Sequence, residues 1–156
     1  AIAGDKELLR ARVIRRLRQV MNLGKRYDVK VLIENVGLRT KNNVLFDLPE
    51  YVALFDIFPQ AGALLDTGHA HVNGWDIPAV VKALGERLAA CHVHDNDGNG
   101  DAHLPVGQGD IDWKAYFGAV KKYAPQATQV FEYCCGFNNI KDLEAHIAEL
   151  KAKYKL

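Results

Sequence analysis

The chain has 156 residues, 49% hydrophobic and 25% charged, which is apolar material enough for one globular domain with a buried core. Lys and Arg number 20 against 19 Asp and Glu; the net charge of +1 argues against a nucleic-acid surface and against an acidic, chaperone-like tail. The cysteines number three (Cys91, Cys134 and Cys135), an odd count with two adjacent, which excludes a disulfide framework and points to a reducing, cytoplasmic compartment, and no apolar run is long enough to cross a bilayer.

Asp5 is placed to cap a first helix, in which Leu8, Leu9, Val13, Leu17, Val20 and Met21 recur at helical spacing. Arg10, Arg12, Arg15, Arg16 and Arg18 crowd the same segment and read as its solvated face. A β-rich run over Val29–Asn35 contains Glu34 near its end. Asp47 caps the next helix, with Val52, Leu54, Phe55 and Ile57 as its apolar side and Pro59 as its stop. A second strand over Ala61–Leu65 leads into Asp66-Thr67-Gly68-His69. Asp76-Ile77-Pro78 opens a helix carried by Val80, Val81, Leu84 and Leu88. The third strand is expected near Ala89–His94, followed by a long loop and a helix over Trp113–Tyr123 that Pro125 ends. Thr128–Glu132 is the fourth strand, and a last helix over Ile140–Lys153 carries the stripe Leu143, Ile147, Leu150.

Short apolar strands alternating with amphipathic helices predict an α/β fold, a parallel sheet covered by helices. In such folds functional residues gather at the carboxyl ends of the strands. Glu34, Asp66, Glu132 and one of His92 and His94 all fall at that end, and chance would scatter them. His92 and His94 share a face because strand side chains alternate. A mixed oxygen and nitrogen set suits Mn, Mg, Co or Zn as a divalent metal and lacks the thiolates that would single out zinc. A metal there polarises a carbonyl or hydroxyl oxygen while a neighbouring carboxylate moves a proton. Those requirements are shared by enediol isomerisation, epimerisation, hydrolysis and dehydration. His69, three positions after Asp66, joins the same site, whereas Asp95, Asp97 and Asn99 read as loop solvation, Cys134 and Cys135 as packing residues, and Trp75 and Phe137 as aromatic packing.

Ile33-Glu34-Asn35, Leu65-Asp66-Thr67-Gly68-His69, His92-Val93-His94-Asp95, the run from Asp101-Ala102-His103 to Gly109-Asp110-Ile111-Asp112-Trp113, and Phe131-Glu132-Tyr133 together resemble the xylose isomerase-like TIM-barrel superfamily. Sugar phosphate isomerases and epimerases and the apurinic endonuclease branch share this pattern. The resemblance implies a (β/α)8 barrel, of which about four units preceded by a helix are present, as one domain over residues 1–156. It implies Glu34, Asp66, His92 and Glu132 as metal ligands, His92 being preferred to His94. It implies Glu34 and Glu132 as the catalytic acid and base on opposite faces of a sugar, with His69, His94, Asp101 and His103 binding substrate. Asp101 and His103 also resemble the Asp-x-His of the endonuclease branch that holds an additional zinc.

A whole barrel needs about 250 residues. The expectation is therefore a truncated piece, as Ala1 in place of Met suggests, or a half-barrel that forms a homo-oligomer or joins a missing N-terminal half. The function expected is a metal-dependent sugar or sugar-phosphate isomerase or epimerase acting on a small-molecule sugar. The alternatives are an endonuclease-type phosphodiesterase, a dehydratase, or a non-catalytic remnant.

Overall fold

The computed structural model describes residues 5–155. The elements in chain order are α1 (Lys6–Tyr27), β1 (Leu32–Glu34), α2 (Leu48–Ile57), β2 (Gly62–Asp66), α3 (Thr67–Val72), α4 (Ile77–Leu84), β3 (Leu88–Val93), α5 (Trp113–Tyr123), β4 (Thr128–Phe131) and α6 (Ile140–Tyr154), with 3₁₀ turns at Arg39–Lys41 and Gly85–Arg87. The four strands form one parallel sheet in the order β1-β2-β3-β4. Ala1 and the other end positions lie outside the described residues.

The helix starts follow the side chains that satisfy free amides. Asp5 accepts from the Glu7 amide at 2.8 Å, and Asp47 and Glu50 form a reciprocal capping box ahead of α2. Asp76 and Asp112 accept from the Ala79 and Ala115 amides, fixing the starts of α4 and α5. Asp66, the last residue of β2, caps α3, so Asp-Thr-Gly-His is a strand passing directly into a helix.

Ala63, Leu65, Cys91 and Val93 are wholly buried, and Phe55, Val80, Val81, Tyr116 and Phe117 meet them in one core. The apolar stripes are narrower than their spacing predicts. Leu8 and Val20 of α1 and Ile57 of α2 are exposed, and α1 packs through Ile14, Leu17 and Met21. Leu88 belongs to β3 rather than to the preceding helix. β1 is shorter than expected, beginning at Leu32 rather than Val29, whose side chain is exposed. Opposite the helix layer, the register partners Asp66, His92 and Val130 form a row, and Val130 is 43% exposed. β1 and β4 each pair with one strand only and are the two edges of the sheet among the described residues. No helix of the described residues is long and apolar enough to cross a membrane.

Tyr51 ties α2 to two strands, its hydroxyl lying 3.1 Å from the Ile33 carbonyl and 2.7 Å from the Leu64 carbonyl. Burial pushes its phenol well above the ordinary value, so it remains a donor at any working pH. Tyr51→Phe is expected to cost about 1–2 kcal/mol, read as a lower denaturation midpoint at unchanged slope.

Candidate metal and active site

Glu34 ends β1, Asp66 ends β2, His92 lies in β3, and Glu132 directly follows β4, its amide still donating to the Val93 carbonyl at 3.1 Å. These four side chains meet. Nδ1 of His92 is 3.4 Å from Glu34 Oε1, 3.8 Å from Asp66 Oδ2 and 3.3 Å from Glu132 Oε2. The cause is register: Asp66 and His92 are direct partners in the ladder, and the long glutamates reach them from the two outer strands.

Asp66 is held from several sides. Its backbone N–H donates to Asn35 Oδ1 at 2.7 Å, and Asn35 Nδ2 donates back to the Asp66 carbonyl at 3.0 Å. Its Oδ1 accepts from the His69 amide at 2.7 Å, and its Oδ2 lies 3.1 Å from His94 Nε2. Burial pushes this carboxyl up, but the hydrogen bond and charge of His94, the charge of His69 and the His69 amide outweigh it, leaving Asp66 below the ordinary carboxylate value. Asn35 thus clamps the end of β1 to the end of β2, a role that its place in Ile33-Glu34-Asn35 does not disclose.

The histidines divide. The His92 side chain is a quarter exposed and sits among the carboxylates, whereas His94 is fully buried behind Asp66, stacked on His103 at 3.8 Å between centroids. His94 thus has no edge open to solvent. The Asp101–His103 arm returns to the same end: Asp101 Oδ2 is 3.3 Å from both His69 Nε2 and His103 Nε2. His103 adopts a left-handed φ of +47°, which side-chain residues seldom do, and it is held there by Nδ1–H donating to the Glu132 carbonyl at 3.1 Å and by the Cys134 amide donating to its own carbonyl. Burial alone would lower the His103 pKa; the Glu132 carbonyl and the carboxylates of Asp101, Glu132 and Asp66 outweigh burial and raise it above 6.5. In the metal-free chain His103 is therefore expected to remain protonated past pH 6.5, and Asp101→Asn to bring its titration down, as a proton NMR titration would show.

Ligand atoms come within 4.8 Å of one another in three groups of the described residues: Glu34, Asp66 and His92; Asp66, His94 and Glu132; and His94, Asp101 and His103. His94 Nδ1 and Asp101 Oδ1 are buried without hydrogen-bond partners, 3.9 Å apart. Three carboxylates around one imidazole, with a partnerless ring nitrogen and carboxylate oxygen beside them, fit a divalent ion: oxygen and nitrogen ligands, no thiolate, and negative charge in need of a counter-charge. The cysteines stand apart, since burial pushes the Cys91 thiol up to about 11.

Several surroundings differ from expectation. Asp95 is fully buried rather than solvated, because four N–H groups converge on its carboxylate. Cys134 and Cys135 are exposed rather than packed, lying beyond Tyr133, which still packs against the core. Glu34 joins the cluster as expected, and Arg39 pairs with Asp47. Trp75 packs on Tyr51, and Phe137 on Tyr133 and His146, as aromatic packing predicts. His71 and Asn96, bonded to each other at 2.8 Å, were not singled out from the sequence; a His two positions beyond His69 on a six-residue helix gave no pattern.

A parallel sheet of four strand–helix units, with its polar cluster at the carboxyl ends of the strands, is the architecture of half a (β/α)8 barrel. Residues 3–153 match the family described as the xylose isomerase-like TIM barrel, and the chain belongs to it. Among curated relatives, an uncharacterized protein of Methanocaldococcus jannaschii is 29% identical over 113 residues, covering 70% of this chain and 42% of its own. An uncharacterized protein of Sinorhizobium fredii is 32% identical over 95 residues, covering 60% of this chain and 30% of its own. The fold is also that of a D-allulose 3-epimerase from Methylomonas sp. (TM-score 0.76, 18% identity, 93% of this chain and 55% of that one). A D-psicose 3-epimerase of Clostridium cellulolyticum H10, solved with D-tagatose, gives a TM-score of 0.74 at 20% identity over 98% of this chain and 58% of that one. The chain thus spans less than half the length of these curated relatives and little more than half of these solved structures.

Proposed function

We propose that this chain, as one domain over residues 1–156, carries the metal-binding half of a sugar isomerase or epimerase. The observation that carries the reading is the convergence of Glu34, Asp66 and Glu132 on His92 Nδ1 at 3.3 to 3.8 Å, one residue from the carboxyl-end region of each of four strands. These four would hold a divalent ion of the Mn, Mg, Co or Zn type, which when bound supplies Lewis-acid polarisation of a substrate's carbonyl and hydroxyl oxygens. Glu34 and Glu132 come from the outermost strands and flank the cluster. One of them removes the proton from the carbon beside the substrate carbonyl, and the electron pair moves to the carbonyl oxygen to form an enediolate. The other returns a proton to the opposite face, inverting that carbon. His69 and the Asp101–His103 arm, joined at 3.3 Å, would bind the sugar hydroxyls. The ketose 3-epimerase titles of the fold neighbours support a free ketose as the first substrate to test.

The two sheet edges, β1 and β4, call for four further strands, from a second copy or from the remainder of a longer chain; this completed barrel would work in the cytoplasm. The test is incubation with Mn²⁺ and D-allulose, D-tagatose or D-fructose in deuterium oxide, beside Glu34→Gln and Glu132→Gln. Deuterium entering at the carbon next to the carbonyl, absent in both variants, is the expected result. Metal bound at these residues without exchange, in the chain and in its completed barrel, sinks the isomerase reading. One observation favours a second reading. The contact of Asp101 with both His69 and His103 gives a second cluster suited to a further ion, as a metal-dependent phosphodiesterase requires. Cleavage of an abasic-site oligonucleotide is its test, and the net charge of +1 argues against it.

A further inference from the structure

Among the described residues the buried carboxylates are Asp66 and Asp95, and Asp95 makes no hydrogen bond or ion pair to the cluster's side chains. Its Oδ1 accepts from the Asn96 amide at 3.0 Å and the Ile111 amide at 3.2 Å, and its Oδ2 from the Gly107 amide at 2.9 Å and the Trp113 indole N–H at 2.7 Å. Its backbone pairs with Leu104 in both directions, at 2.8 and 3.0 Å, forming an isolated antiparallel bridge. The return of the loop runs against it so closely that a methyl group on Gly109 would collide with Asp95 Oδ1 and the Asn96 carbonyl. One side chain thus gathers the start, the far end and the exit of the segment between β3 and α5.

We propose that Asp95 is a positioning residue that sets the Asp101–His103 arm against the four-strand cluster. His94 immediately precedes Asp95 and His103 immediately precedes Leu104, so the Asp95–Leu104 bridge fixes the two backbones whose imidazoles stack at 3.8 Å. Asp101 and His103 carry no secondary structure of their own, and His103 holds a left-handed φ. Within residues 97–103 the hydrogen bonds join only Asn99 to Asp97; His103 is held by the Glu132 carbonyl and the Cys134 amide, and the two ends of the arm are brought together by the Asp95–Leu104 bridge. A carboxylate meets the geometry because it offers acceptors only, where four donors converge. Asparagine, of the same size, would turn an amide N–H₂ toward two of those donors.

The arm's purpose rests on the isomerase reading, but its placement is testable without it. The experiment compares the chain with Asp95→Asn and Trp113→Phe, by amide hydrogen exchange and by nitrogen-15 spectra of the histidine rings. The expected result for Asp95→Asn is exchange faster by at least about tenfold across residues 96–111, with β1–β4 unchanged. The His103 ring would lose its fixed tautomer while that of His92 kept its own, a signature that general loosening does not produce. Trp113→Phe, which removes one donor of the four, should give a smaller change of the same kind. Unchanged exchange in residues 96–111, or an equal rise throughout the sheet in both variants, overturns the proposal. Failure of the unaltered chain to bind metal would count against the isomerase reading and leave this result standing.

Discussion

Asp66→Asn is expected to weaken divalent-metal binding by at least about 100-fold while leaving the chain folded, since loss even of groups that only orient ligands costs 10- to 100-fold. The two halves of that expectation have separate causes. Asparagine retains an oxygen for the His69 amide and is as good a helix cap as aspartate, so α3 keeps its start. Its neutral amide removes one of three converging carboxylates, and its N–H₂ faces His94 Nε2. Elemental analysis after dialysis against metal, with calorimetric titration, reads the first half; circular dichroism reads the second. The same variant tests the acid limb of stability. The folded Asp66 pKa is lowered from 3.8, so its ionised form contributes stability that is present above pH 3.8 and lost as pH falls through the folded value. Asp66→Asn should therefore make metal-free stability less steep below pH 4, which denaturation at a series of pH values would show.

Gly68→Ala should be the most damaging small change in the sheet-to-helix turns, costing on the order of 3 kcal/mol. A methyl group there would fall inside the His94 ring. The ring has no room to retreat, being bonded through Nε2 to Asp66 and stacked on His103. It must rotate away, and that removes at once a buried side chain, the His94–Asp66 bond and the stack. Gly118→Ala is the matched control: its methyl would meet nothing within 4 Å, it lies in α5, and it should be neutral or stabilising by up to about 1 kcal/mol. Equal denaturation midpoints for the two variants would dismiss the account of Gly68.

The architecture was readable because strand and helix leave different periodicities and because acidic caps mark helix starts, as Asp5, Asp47 and Asp76 do here. The convergence of Glu34, Asp66 and Glu132 with one of the two histidines was readable for a related reason, since parallel strands present their carboxyl ends on one side. What escaped depends on tertiary partners. Nothing in His-Val-His says that His92 turns to the carboxylates and His94 into a slot over Gly68; the slot exists only once α3 packs on β3. Asp95 among Asp97 and Asn99 has the composition of a solvated loop, and its burial follows from an indole 18 residues later. The first helix misled in the other direction, because apolar residues at helical spacing do not reveal how few of them find a surface to cover.

Glu34, Asp66, His92 and Glu132 stand at or beside the carboxyl ends of four different strands, and helical crossovers separate them along the chain. No pair of neighbouring units holds the whole set, so the site has no precursor in any short segment. Parallel pairing must first close long stretches of chain, an entropic cost met before the contacts form. The cluster needs all four strands in place, so its appearance during refolding would report the completion of the sheet.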